Sequence, residues 1–370
     1  MKNVLFLHSS AEMYGSDRSL LNIVKFLDKK QYSITVVLPC NGPLVNEINN
    51  IEGIQVRVFN IAILRRKDLS LKGLVRYCES FKKSCKYLKS IIYSENIDIV
   101  YTNTAVVFPG AIVAKKLKKK SVWHIREIIK NKYENMFVSY IVNKYSDVIV
   151  ANSKATGEAI TNNKNKLKIV YNGVAEQKYE KKITRTNENI TIGMAGRINR
   201  WKGQKLFVDM AARVYKKCPS SHFLIAGDTY KGEEYLKNDL IKYIQEKGLS
   251  SVVELTGRIN NMNQFYQSLD IFVLPSIQPE PFGLVVIEAM EFGIPVIATN
   301  QGGPTEIIKD GVTGYLVSYS DCDEMTNRCI SLINDSNKRY IIGNAGMIEK
   351  RNLFSINKMG QDIQNILDCL

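Results

Sequence analysis

The sequence predicts two doubly wound α/β domains, and three observations predict them. Short β-rich runs alternate with helical patterns, the signature of a parallel sheet. That rhythm stops once, in the Lys-, Glu-, Thr- and Asn-rich stretch 176–189, and then starts again. The 370 residues are length enough for about two domains of roughly 100–200 residues each. Hydrophobic residues at 45% and charged residues at 24% exclude a disordered chain.

In chain order, the first half offers β-rich runs at 4–8, 34–38, 56–59, 99–102, 122–125, 148–151 and 169–171. Helical periodicity falls between them, for example at 19–27, 77–93 and 136–143. Residues 176–189 carry almost no apolar side chain and read as a linker. The second half repeats the pattern with runs at 190–195, 223–226, 252–256, 271–274, 295–298 and 314–317, and 356–370 reads as a terminal helix. The expected division is a first domain over 1–175, the linker, a second domain over 190–354, and the helix of 355–370. Two such domains are expected to face each other across a cleft, with ligands beyond the carboxyl ends of the strands.

No uncharged apolar stretch approaches the roughly 20 residues of a membrane-spanning helix. The apolar run at 4–7 is too short for a secretory signal and reads as a first buried strand. Seven cysteines, an odd number without a CxxC pair, fit neither a disulfide framework nor a zinc site. Cys78 and Cys85, seven apart on a helix and so roughly 10 Å from each other, are too distant to bridge. The expectation is a reduced, cytoplasmic chain.

Charge is unevenly spread. Residues 1–185 hold 32 Lys and Arg against 15 Asp and Glu, a net +17, whereas residues 186–370 hold 19 against 21, a net −2. Only one half is therefore expected to meet an anionic partner. The basic residues concentrate at 65–67, 72–93 and 115–120. Within 72–93, Phe81, Cys85, Leu88 and Ile92 share one helix face, while Arg76, Lys82, Lys83, Lys86 and Lys89 cover much of the rest. Such a helix either lies on an anionic membrane surface or covers a sheet with a solvated basic face. Nucleic acid is not expected, because no aromatic interleaving or binding motif accompanies the charge.

The densest run of signals is 274–290. Glu280 lies in a Pro-broken loop after a strand, and Glu288 lies a turn or two into the helix opened by Pro281-Phe282-Gly283. A helix N-terminus presents free N–H groups and partial positive charge. Two carboxylates at its mouth suit vicinal hydroxyls rather than phosphate, unless both are merely exposed acids. At 192–203 a strand ends in a glycine turn that sets Arg197 and Lys202 on the same side of the second sheet. A guanidinium fork and a mobile ammonium can neutralise a diphosphate without a metal. Gly193 and Gly196 do not complete GxGxxG.

In the first half, residues 9–16 form a strand-to-helix loop able to meet an anion or sugar with its amides, or serving only as a capped helix start. His124 ends a strand, as a candidate general base or a structural histidine. The chain has only three histidines, too scattered for a metal site. Asp321-Cys322-Asp323 is formally a DxD, but N-capping explains it better.

Together these residues resemble the retaining glycosyltransferases of the GT-B fold, in particular glycosyltransferase family 4. The motifs are Ala151-Asn152-Ser153, Tyr171-Asn172-Gly173-Val174, Gly196-Arg197 with Lys202-Gly203, Ala226-Gly227-Asp228, the Glu280…Glu288 pair, Gly302-Gly303-Pro304-Thr305-Glu306 and Gly311…Gly314. The resemblance implies that Arg197 and Lys202 hold the donor diphosphate. It implies that Glu280 and the amides of Phe282, Gly283 and Leu284 bind the transferred sugar, with Glu288 on the ribose hydroxyls. His124 would sit at the sugar's reacting face, and the Gly15-Ser16 loop would close over phosphate and acceptor. Asn103 and Asn172 join the substrate-binding set, and the base meets backbone near Gly257 and Arg258. The glycine pair usual in the first loop is here Tyr14-Gly15-Ser16.

The implied reaction is metal- and cofactor-independent transfer from a nucleotide sugar, UDP- more readily than GDP-linked, with retention by front-face attack. The +17 half implies a lipid-linked saccharide or glycan acceptor at the inner face of an anionic membrane, as in bacterial capsule, lipopolysaccharide or exopolysaccharide assembly. Domain closure would hinge on 176–189 and the C-terminal helix. The rival readings are a UDP-sugar epimerase of the same fold and a catalytically degenerate partner subunit.

Overall fold

The computed structural model describes residues 1–65, 68, 70–177, 189–259 and 261–370. Most of the expected linker, and Arg66 and Lys67 of the first basic cluster, lie outside the described residues. The chain forms two compact units, Met1–Gly173 with Ile356–Leu370, and Val174–Ser355.

The first unit is built on a parallel sheet of β1 (Lys2–Leu7), β2 (Tyr32–Leu38), β3 (Ile54–Val58), β4 (Ile99–Thr102), β5 (Lys120–Ile125), β6 (Val148–Ala151) and β7 (Leu167–Ile169). Their order is β3-β2-β1-β4-β5-β6-β7. The two-residue period of a strand divides β1 between two cores. Val4 and Phe6 pack with Leu20, Val24 and Ile34, whereas Leu5 and Leu7 pack with Leu88, Ile91 and Ile92. Burial on both faces explains why these strands read as continuous apolar runs.

Leu88 and Ile92 lie on the helix Leu71–Ser94. Its apolar face is thus spent on the sheet, while Lys82, Lys83, Lys86 and Lys89 are exposed. The structure shows the sheet-covering role of this helix, with its basic face left exposed. The C-terminal helix Ile356–Asp368 returns to this first unit, where Met359, Ile363 and Leu367 are buried beside Leu20 and Val24. Lys2 Nζ donates to the Leu367 and Asp368 carbonyls at its end, at 2.9 and 2.8 Å.

The second unit carries β8 (Thr191–Ala195), β9 (His222–Ala226), β10 (Val253–Gly257), β11 (Ile271–Leu274), β12 (Val296–Thr299) and β13 (Tyr315–Val317), all parallel, in the order β10-β9-β8-β11-β12-β13. Ile192, Met194, Phe207, Phe223, Val273 and Met325 lie in its core. In each sheet the strand order reverses once, at β1/β4 and at β8/β11. Those reversals are the switch points where doubly wound sheets bind ligands.

No helix among the described residues is long and apolar enough to cross a membrane. All seven cysteines are free thiols.

Candidate active site

Two loops flank the switch point of the second sheet. The loop after β8 turns on Asn199, whose side chain accepts the N–H groups of Trp201 and Lys202 at 3.0 and 2.9 Å. It ends at Gly203, which caps the helix Gln204–Lys217 in the left-handed region with φ of +78°. A Cβ there would lie 1.8 Å from the Pro275 carbonyl oxygen, so only glycine lets the β8 loop press against the β11 loop. Ile277 N–H donates to the Trp201 carbonyl, at 2.9 Å, and fastens the two loops together.

This approach brings two predicted residues into contact. Lys202 Nζ lies 2.6 Å from Glu280 Oε1, and the Ser276 hydroxyl donates to the same oxygen. Glu280 is only 4% exposed. Its carbonyl accepts the Gly303 N–H at 2.8 Å, which ties the Gly302-Gly303 turn to the loop. Gly283, with φ of +98°, opens the helix Leu284–Glu291. Glu288 lies on that helix and accepts from the Tyr266 hydroxyl at 2.7 Å. At the far end, buried Glu291 pairs with buried Lys350 and accepts Gln177 N–H at 2.7 Å. The helix is therefore anchored at the end away from the predicted sugar contacts.

Arg197 stacks its guanidinium over the Tyr230 ring, 3.5 Å from its centroid, and its carbonyl accepts from Gln204 Nε2 at 2.9 Å. A tyrosine in the loop after β9 carries no motif, so nothing in the sequence marks Tyr230 as a site residue. Gly257 ends β10 with φ of +67°, and its carbonyl accepts the Gly227 N–H at 2.8 Å. Arg258 follows directly, two strands away from the switch point. Asp321 accepts the Glu324 N–H at 2.8 Å, so Asp321-Cys322-Asp323 is a helix cap as expected.

The first unit holds a buried polar network at the carboxyl ends of β1, β4 and β5. Gly15 and Ser16 open the helix Gly15–Phe26, whose Asp17 accepts the Tyr14 N–H and pairs with buried His8 Nε2, each at 3.0 Å. Asn103 and Asn172 are buried, and their side-chain oxygens are spent on Arg126: Nε donates to Asn103 at 2.7 Å and Nη1 to Asn172 at 2.6 Å. Arg126 Nη2 and the Tyr101 hydroxyl both meet His124 Nδ1, at 3.2 and 2.6 Å.

An arginine can only donate, so His124 Nδ1 is an acceptor and the ring proton sits on Nε2. Burial first, and then the positive charge of Arg126, hold the imidazole pKa well below 6.5. Burial also brings the Arg126 guanidinium down to about 10, still charged at neutral pH. A general base would need a free ring lone pair, and the only one is engaged. The candidate general base of the sequence reading is thus corrected to a neutral hydrogen-bond donor.

Two units of parallel sheet, each with polar side chains gathered at a switch point, have the architecture of the GT-B fold. The residue pattern described as Glycosyltransferase Family 4 matches residues 13–178, and that described as Glycosyl transferases group 1 matches 175–347. Both are glycosyltransferase patterns, and together they run through residues 13–347: the chain is a glycosyltransferase. The capsular polysaccharide biosynthesis glycosyltransferase CapM of Staphylococcus aureus is 25% identical over 93% of this chain and 91% of its own length. The UDP-Gal:alpha-D-GlcNAc-diphosphoundecaprenol alpha-1,3-galactosyltransferase of Escherichia coli is 24% identical over 87% of this chain and 85% of its own. Among solved structures, HepE of Anabaena, in complex with UDP and glucose, superposes with a TM-score of 0.84 at 24% identity over the whole of both chains.

Proposed function

We propose that the chain transfers a sugar, with retention and without a metal, from a nucleoside diphosphate sugar to a lipid-linked saccharide acceptor in bacterial surface polysaccharide synthesis. The observation that carries this reading is the contact of Lys202 with Glu280 at the β8/β11 switch point, beside the helix opened by Gly283. A cation for the leaving diphosphate and a carboxylate for the sugar hydroxyls stand within one hydrogen bond. Arg197 adds a second cation, and Glu288 a carboxylate for the ribose.

In the proposed step the acceptor hydroxyl attacks the anomeric carbon from the face of the leaving group. The bond from that carbon to the diphosphate oxygen breaks, its electron pair stays on the oxygen, and the acceptor proton passes to that oxygen. Arg197 and Lys202 stabilise the charge that develops there. UDP is the favoured nucleotide, a choice supported by the UDP bound to HepE and by the UDP-sugar in the name of the E. coli relative. The same name supports a lipid diphosphate acceptor.

A membrane-facing acceptor also finds support on the first unit. The helix Lys132–Tyr145 leaves Tyr133, Met136, Phe137 and Tyr140 exposed at spacings of three, one and three, one helix face. Exposed Lys130, Lys132 and Lys144 flank them. Aromatic side chains rimmed by lysines suit the interface of an anionic bilayer.

The test is nucleotide release from a panel of UDP- and GDP-sugars, with and without membrane lipid extract, for wild type and Glu288→Ala. Release from one donor, raised by lipid and lost in the variant, is the expected outcome. Epimerised donor without release would favour the epimerase. No turnover and no stabilisation by any nucleotide, in a folded chain, would favour a degenerate partner subunit.

A further inference from the structure

We infer that Tyr101 and Arg126 are positioning residues that hold His124 in its Nε2-protonated tautomer, so that His124 serves the transfer reaction as a hydrogen-bond donor to substrate. The inference rests on the proposed transfer reaction for its purpose, and on geometry alone for its existence. Two donors converge on Nδ1, and one of them, a guanidinium, has no lone pair with which to exchange roles. The other tautomer would set the Nδ1 proton against the Arg126 N–H and leave the Tyr101 hydroxyl without its acceptor.

Arg126 is in turn held by hydrogen bonds on several sides. Its Nε and Nη1 are fixed by two asparagine oxygens delivered from after β4 and after β7, and Asn172 is itself gripped by the Ser19 hydroxyl at 3.0 Å. The charges that face this cluster are Glu127 and Asp17, which act on Arg126, and Asp17 is hydrogen-bonded to His8. No carboxylate reaches the His124 ring with a hydrogen bond among the described residues, so nothing competes for its protonation.

His124 Nε2 is the other half of the argument. It is buried and has no hydrogen-bond partner among the described residues. An orphaned buried donor costs on the order of 1–3 kcal/mol, and natural cores rarely leave one unless it has a use. A substrate oxygen is the use the site offers. Because Nε2 is covered in this conformation, the groups over it must shift locally when that oxygen arrives.

The tautomer is read directly by nitrogen-15 NMR of the imidazole rings in the intact chain. With only three histidines in the sequence, His124→Gln assigns the signals. Wild type is expected to show an Nε2-bound proton and an Nδ1 acceptor, with no protonation midpoint near the ordinary histidine value. A proton on Nδ1, or a midpoint near the ordinary histidine value, overturns the inference.

Tyr101→Phe keeps the buried ring and removes the donor, and Arg126→Met removes the second. Each is expected to raise the Nδ1-protonated fraction and to lower kcat about ten- to hundredfold, as misplacement of an aligned group does, with donor KM nearly unchanged. Wild-type tautomer and wild-type kcat in both folded variants would overturn it. Should Arg126→Met fail to fold, Tyr101→Phe decides. The NMR readout needs no substrate, so a wild type with the expected tautomer but no sugar transfer would strike the proposed function and leave the tautomer lock standing.

Discussion

Lys202 and His124 show how much one side chain depends on its partner. Lys202 is expected to matter twice, because it is both the cation proposed for the diphosphate and the ion partner of buried Glu280. Lys202→Ala should lower kcat about 10²–10³-fold, the usual cost of losing a preorganised electrostatic contact. It should also cost about 1–3 kcal/mol of stability by leaving the Glu280 carboxylate to Ser276 alone; near-wild-type turnover would refute the assignment. His124 has a pH signature. Its folded pKa lies below the unfolded value of 6.5, so as pH falls through that value the unfolded chain takes the proton and the native chain does not. Stability is therefore fully present above about pH 6.5 and declines below it, by about 1.4 kcal/mol per pH unit from this group. Urea unfolding between neutral and mildly acidic pH should show a flatter profile for His124→Gln than for wild type. Of the residues in these proposals, Arg197, Lys202, Glu280 and Glu288 stood out in the sequence, because motif spacing after a strand is a local signal. Arg126, Tyr101 and Tyr230 did not, because their meaning lies in partners 23, 23 and 33 positions away in sequence.

At the scale of elements, the loops at the β8/β11 switch point form one unit. The left-handed Gly203 and its contact with Pro275 set how closely Lys202 approaches Glu280. Gly203→Ala adds backbone strain and an impossible Cβ contact, and should cost about 3 kcal/mol or more. Because the same displacement separates Lys202 from Glu280, activity should fall even at temperatures where the variant stays folded; thermal melting and turnover measured together check this. Strands were the most legible elements, since parallel strands buried on both faces must be apolar runs. Helix ends were less so: the helix expected at 77–93 begins earlier, at Leu71, where the Ser70 hydroxyl caps it by accepting the Gly73 N–H at 3.1 Å. The basic helix face drew attention in the sequence, yet its apolar partner face is simply core. The exposed aromatic face lies instead on Lys132–Tyr145, where tyrosines and a phenylalanine at helical spacing look like core until burial is known.

For the whole molecule, the +17 of the first half is the property with the widest reach. Anionic vesicles should bind the chain, more weakly as salt rises, and neutral vesicles should bind it less. Replacing Tyr133 and Phe137 by Ser should weaken co-sedimentation while leaving nucleotide binding intact; equal binding to anionic and neutral vesicles would remove the membrane part of the proposal. By itself the sequence determined the two parallel sheets and most of their strand positions to within a residue or two, although the last strand of the first sheet lies at Leu167–Ile169 rather than 169–171, because apolar period and glycine punctuation are local properties of a chain. Only the tertiary structure decided which faces of the helices are covered, that the last helix closes the core of the first unit, and that two donors fix the tautomer of His124. Those depend on contacts between residues far apart in sequence, which packing creates and no local pattern records.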